Sequence, residues 1–322
     1  MTWSAARRRL WPMLAALLLV VGGLGGWWLG AGSSAGYPRG TEGFATGATG
    51  GVYDTYGQLL RDYLRHSMPG LNLRLDTSEG SVDNLNRVSS GQDAFAFATA
   101  DAVADFSGQT RLRAIARLYD DYLQLVVPAK SRVQSVADLR GLHVGVGQSL
   151  SGVNLVTRRV LAVAGLDPDT DIVPEPLPVL DATKELADGT VDAFFWSGGL
   201  PTSPLTDLAK SFPIRIVPLG DLTDKLHQAY PDSSAYRTAV LPEDVYPGTK
   251  AVLTMAVPNL LVTREDADPR LVEGLTKAVI DSRDGIGSTV HPAQLVDLRT
   301  AVYTAPLPLH TGAANYYRSV KP

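Results

Sequence analysis

Four stretches of small and hydroxylated residues could hold a ligand: Gly47–Gly51, Thr99-Ala100-Asp101, Gly147–Gly152 and Ser197–Thr202. Each follows a run with the alternation or apolar continuity of a β-strand. In an open α/β sheet the ligand crevice lies beyond the carboxyl ends of the strands, so all four loops could face one cleft. Glycine lets backbone N–H groups approach an anion, and a following helix N-terminus favours negative charge. The first and third loops carry that arrangement. Taken singly, each loop is equally consistent with a tight βα turn.

Other chemistries drop out. The 322 residues include no cysteine, which removes disulfides, thiolate metal sites, cysteine nucleophiles and a lipidated N-terminal cysteine. A dinucleotide fingerprint fails, because Gly145-Val146-Gly147-Gln148-Ser149-Leu150 has leucine where the third glycine belongs. His66, His143, His227, His291 and His310 are dispersed without ligand spacing and read as surface or packing residues, so no metal is expected. Asp120 and Asp121 are adjacent in a predicted strand and point to opposite faces; they read as solvated hinge charge rather than a catalytic pair. With 29 basic and 33 acidic side chains and a formal charge of -4, the chain lacks the basic stripe that nucleic acid requires.

Residues 1–35 have their own logic. Arg7-Arg8-Arg9 precede an uncharged apolar run, Leu10–Leu29. As a helix that run covers roughly 30 Å, about one hydrocarbon core. A basic flank followed by an apolar block reads as an export signal, which places the rest of the chain outside the cytoplasmic membrane. Ser33-Ser34-Ala35 offers small residues for cleavage, whereas Trp27-Trp28 suits the aromatic belt of a retained anchor. Cleaved signal and uncleaved anchor both remain open.

The elements that must position the loops follow in a βαβ rhythm. Gly43–Thr46 reads as a strand and Val52–His66 as an amphipathic helix stopped by Pro69-Gly70. Leu71–Leu75 alternates as a strand, Ser81 opens a helix that Gly91 closes, and Ala94–Ala98 is an apolar strand covered on both faces. The rhythm returns in Leu142–Val146, the helix Val153–Ala164, the strand Ile172-Val173, a helix near Thr183–Ala187 and the strand Val191–Trp196. Tyr122–Val127 and Ala251–Val257 flank this second set as crossovers would. Arg270–Ile280 and Pro292–Thr300 are helical in pattern. The expected fold class is α/β with two lobes: residues 36–122 and 255–322 form lobe one, residues 123–254 lobe two, and a hinge joins them.

Several strings occur in the order seen in a known family: Gly47-Ala48-Thr49-Gly50-Gly51-Val52-Tyr53, Ser78–Leu85, Gly91–Phe97, Ala251–Leu261 and Pro308–Tyr317. From about residue 41 to 318 the chain resembles the TAXI family of extracytoplasmic solute receptors, which serve tripartite ATP-independent periplasmic (TRAP) transporters. The resemblance implies a type II periplasmic-binding-protein fold and no enzymatic activity or cofactor. It also implies a monomer that captures a small carboxylate-bearing solute, a glutamate-like amino acid or an organic acid, for TRAP permease membrane subunits. Its ligand contacts would fall on Gly47, Thr49, Gly51 and Tyr53 in the first loop, Asn84 at the second turn, and Thr99 and Asp101 after the third strand. In lobe two they would fall on Ser149, Ser151 and Gly152, with Ser197, Gly198 and Pro201 on the far wall. Where the family reads S-G-T-E or similar, this chain has Ser151-Gly152-Val153-Asn154, so ligand identity does not transfer. A sensory module reporting occupancy to a signalling partner is the second reading. An enzyme on a related two-lobed fold, such as the thiamine-precursor synthases, is the third; those lean on cysteine motifs that this chain cannot supply.

Overall fold

Apolar residues repeat at helical spacing along Val52–Ser67 (α1), and Tyr56, Leu60 and Leu64 on that face are buried against the sheet. This and the other elements are seen in a computed structural model that describes residues 37–230 and 234–320. The segment read as signal or anchor lies outside the described residues. Among those described, no helix is long and apolar enough to cross a membrane. The described residues from 39 to 320 form one compact unit.

The first βα set runs β1 (Gly40–Ala45), α1, β2 (Leu71–Asp76), α2 (Ser81–Ser90), β3 (Phe95–Thr99) and the short α3 (Ala100–Asp105). β1 pairs in parallel with both β2 and β3. Gly91 ends α2 in the left-handed region at φ 81°, a conformation that costs glycine little. The second set is β5 (His143–Gly145), α4 (Gly152–Val163), β6 (Val173–Glu175), α5 (Val179–Asp188) and β7 (Ala193–Gly198), with β5 parallel to β6 and β7.

Two long antiparallel strands join the sets: β4 (Leu112–Pro128) and β10 (Val252–Arg264). Their crossover character was expected, but only over Tyr122–Val127 and Ala251–Val257. The first half of β4 pairs with β10, and its second half, from Tyr122, pairs with β7 and β8 (Ile214–Val217). The second half of β10 pairs with β3, while its first half pairs with β9 (Arg237–Leu241). One sheet of order β2-β1-β3-β10-β4-β7-β5-β6 therefore runs through both halves of the chain. The β4–β10 register shifts between Pro258 and Leu260 and again between Leu261 and Val262. Pro258 has no N–H for the ladder, and a bulge beside it turns Asn259 out of the regular pattern.

On the β1 side the core is aromatic. Phe44, Tyr56, Phe95, Phe97 and Tyr119 are at most 1% exposed, and the helices Pro269–Asp281 and Thr311–Val320 cover them. Burying each such side chain contributes about 1.5–3 kcal/mol before entropy is counted. A second cluster, with Val126, Phe194, Leu205 and Ile214, sits under α5 and α6 (Ser203–Ser211). The expected helix over Pro292–Thr300 is replaced by a 3-10 turn at His291–Leu295. Asp297 Oδ1 accepts the Arg299 N–H at 2.8 Å, a local turn that competes with helix continuation.

Candidate functional site

A cavity of ≈ 70 Å³ lies where the two βα sets meet at the middle of β4. At roughly 10–15 Å³ per water-sized group it suits a small solute. Gly47, Gly51 and Tyr53 reach it from the first loop and α1, and Thr99 from the end of β3. Ser151 and Gly152 reach it from the third loop, and Ser197 and Gly198 from the end of β7. One cavity thus collects residues from all four small-residue loops.

Three helices of substantial length begin there. Gly51 and Gly80 precede α1 and α2 with no side-chain cap, leaving first-turn N–H groups without an intrahelical acceptor. α4 is capped by Ser151, whose Oγ accepts the Asn154 N–H at 3.0 Å. The converging N-termini create a positive local field suited to a carboxylate.

Tyr53 is the aromatic wall. Its ring stacks on Phe97 at 4.9 Å between centroids, and Phe97 is backed by Phe44 and Tyr56. The Tyr53 hydroxyl donates to Asn259 Oδ1 in a short contact. Asn259 Nδ2 donates to Asp121 Oδ1 at 2.7 Å and to the Tyr119 carbonyl at 3.3 Å. Both partners of Nδ2 are acceptors, which fixes the orientation of the amide. Burial, with Asp121 nearby, pushes the Tyr53 hydroxyl well above its usual pKa, so it remains a donor. Trp196 faces the first loop from β7 and is held by a 2.9 Å hydrogen bond from its Nε1 to Thr202 Oγ1.

Loops of the two βα sets are hydrogen-bonded to one another beside the cavity. The Leu150 N–H donates to Glu79 Oε2 at 2.9 Å, and the Asp83 N–H donates to the Leu150 carbonyl at 3.0 Å. A Cβ on Gly152 would lie 2.9 Å from Ser81 Oγ and 3.0 Å from Thr99 Oγ1, so only glycine allows this approach.

The remaining expected positions lie elsewhere. Thr49, Ser149 and Pro201 are exposed and do not line the cavity. Asn84 is fully buried and ties the scaffold together: Nδ2 donates to the Phe97 carbonyl at 2.7 Å and the Thr46 carbonyl at 3.2 Å, and Oδ1 accepts from Ser78. Asp101 is also buried and accepts the Tyr236 hydroxyl at 2.6 Å.

Asp120 and Asp121 do point opposite ways, but neither is solvated. They are 7% and 5% exposed, because β4 is covered on both faces at the crossing. Asp120 pairs with Arg117 at 2.7 Å and with Arg237. Asp121 lines the cavity and was missed as a site residue, as were Glu79, Ser81 and Trp196. The available signal was two adjacent charges inside the mostly apolar run Leu118–Val127, where a strand buries both faces.

Two βα halves sharing two crossing strands, with a cavity at the strand carboxyl ends, define the two-lobed periplasmic-binding-protein fold. The periplasmic binding protein BugD superposes with a TM-score of 0.53 at 11% identity, covering 79% of this chain and 88% of that one. A Listeria monocytogenes protein described as a candidate L-cystine ABC transporter gives 0.51 at 14% identity, over 80% and 98%. A Xanthomonas citri protein solved with ATP bound gives 0.50 at 12% identity, over 87% and 94%. The chain belongs to the NMT1-like family, which it matches over residues 44–320.

Proposed function

We propose that this protein is an extracytoplasmic receptor that binds a small carboxylate-bearing solute between two lobes and delivers it to a membrane transporter without chemical turnover. The observation that carries this reading is the cavity bounded by uncapped helix N-termini and an aromatic wall from both βα sets. The carboxylate would accept hydrogen bonds from first-turn N–H groups of α1 and α2, with Tyr53 beside it. The lobes would divide at residues 122/123 and 254/255, inside β4 and β10, which serve as the hinge. A ligand touching both sides stabilises the closed form by its differential affinity, and the closed form is what a permease recognises.

The resemblance to TAXI receptors makes TRAP permease subunits the partner, with residues 1–35 as export signal or anchor. Native mass spectrometry of the purified protein should detect a co-purified small acid that dissociates on mild unfolding. Covalent change of the bound compound on incubation would overturn the receptor reading in favour of an enzyme. A permease gene beside this one supports transport, and a sensor-kinase gene supports the signalling alternative.

A further inference from the structure

Among the described residues, Glu79 and Asp121 line the cavity, and no Lys, Arg or His does. Glu79 is already engaged, accepting the Leu150 N–H across the cleft. Asp121 is 5% exposed, and its carboxylate receives a side-chain hydrogen bond from Asn259 alone among the described residues. Arg117 and Arg237 are held by Asp120 on the other face of β4. Ser197 Oγ, on a residue 7% exposed, lines the same cavity and has no hydrogen-bond partner among the described residues.

A buried carboxylate with no cation is unfavourable: it takes up a proton unless a bound cation supplies the opposite charge. The groups facing Asp121 are the neutral Tyr53 from α1, the neutral Asn259 from β10, Tyr119 on its own strand and the acidic Asp101 of α3. None is positive. Burial raises the Asp121 carboxyl to about 7, Asn259 pulls it down, and Asp101 adds repulsion.

We propose that the ligand carries a protonated nitrogen seated against Asp121, with Ser197 Oγ as a second acceptor, so that the solute class is a small amine-bearing zwitterion or cation rather than a dicarboxylate. This rests on the receptor reading and narrows it. In a zwitterion the carboxylate meets the N-termini of α1 and α2 while the ammonium meets Asp121, so both poles are matched. A dicarboxylate would set a second negative charge beside two acids.

The test is a thermal-shift panel on the purified chain, followed by calorimetry of the hits. It contains each common amino acid with its 2-oxo-acid counterpart, succinate and 2-oxoglutarate as dicarboxylates, and ethanolamine and choline as cations without a carboxylate. At least one amine-bearing compound should raise Tm while its oxo-acid counterpart does not. Its affinity should rise with pH through about 7, as Asp121 gives up its proton. Asp121→Asn should weaken it by about 10- to 100-fold while leaving the unliganded Tm unchanged or higher. Asp121→Glu should keep part of the affinity, and should Asp121→Asn not fold, the pH dependence decides alone. Dicarboxylates or oxo-acids that bind as well as amines, or bind more tightly as pH falls, overturn the proposal and leave the receptor reading standing. A panel in which nothing binds overturns both.

Discussion

Tyr53 joins two roles at one position: its ring is stacked on the core residue Phe97, and its hydroxyl is spent on Asn259. Tyr53→Ala should therefore remove a ligand wall and loosen the Asn259–Asp121 pair together. Calorimetry with a hit from the ligand panel should show affinity falling more than about tenfold, near 1.4 kcal/mol or beyond; unchanged binding would remove Tyr53 from the site. Asp121 also makes a prediction for the unliganded protein. Its folded pKa of about 7 lies above the ordinary 3.8, so the folded state holds the proton that the unfolded chain releases. That stabilisation is complete below about pH 4, declines as pH rises, and is gone above about 7. Asp93, buried and raised to about 6, acts in the same direction over a narrower range. Urea unfolding between pH 4 and 8 should show wild-type stability falling with pH, and Asp121→Asn should flatten part of that slope.

At the scale of elements, the third loop and α4 close onto the start of α2 and the end of β3. Gly152 is the point of nearest approach, since any Cβ there meets two hydroxyl oxygens at 3.0 Å or less. Gly152→Ala should hold the cleft partly open: ligand affinity drops at least tenfold, while unfolding of the unliganded protein changes by under about 1 kcal/mol, an alanine within an α-helix being well tolerated. Equal loss of stability and affinity would show that Gly152 supports the fold rather than the closure. The βα grammar around this loop was legible in the sequence, because helix amphipathicity and apolar strands are local patterns. Asn84 shows where such reading stops. The resemblance implies a ligand contact there; in the structure its amide bonds the Thr46 carbonyl after β1 and the Phe97 carbonyl on β3, which a linear pattern does not bring together.

Across the whole molecule, the two βα sets are also joined by contacts outside the cavity lining. The Tyr236 hydroxyl donates to Asp101 at 2.6 Å, Arg159 reaches Asp105 at 2.6 Å, and the Arg159 guanidinium lies 5.0 Å over the Tyr230 ring. Asp101 and Asp105 belong to α3, whereas Arg159, Tyr230 and Tyr236 come from α4 and the approach to β9. These groups make a latch between the two βα sets. Tyr236→Phe deletes its hydrogen bond and leaves a buried carboxylate short of a donor, which should disfavour the closed form by about 1–3 kcal/mol. Small-angle scattering should then show a larger radius of gyration for the unliganded variant than for wild type, with ligand restoring compaction only at higher concentration. Identical scattering would assign the network to stability alone.

The sequence by itself determined the α/β class, the two βα series, the loops that meet at the cavity and the absence of cysteine chemistry, since each follows from residue type and short-range period. Tyr53, Ser151, Gly152 and Ser197, which the resemblance implies as ligand contacts, line the cavity. Only the tertiary structure decided that β4 and β10 extend through both halves and that Asp121, read as solvated, is enclosed among Tyr53, Asn259 and the end of β7. Burial depends on which segments distant in sequence pack around a side chain. For Asp121 that packing, more than its residue type, sets both its charge and what it can bind.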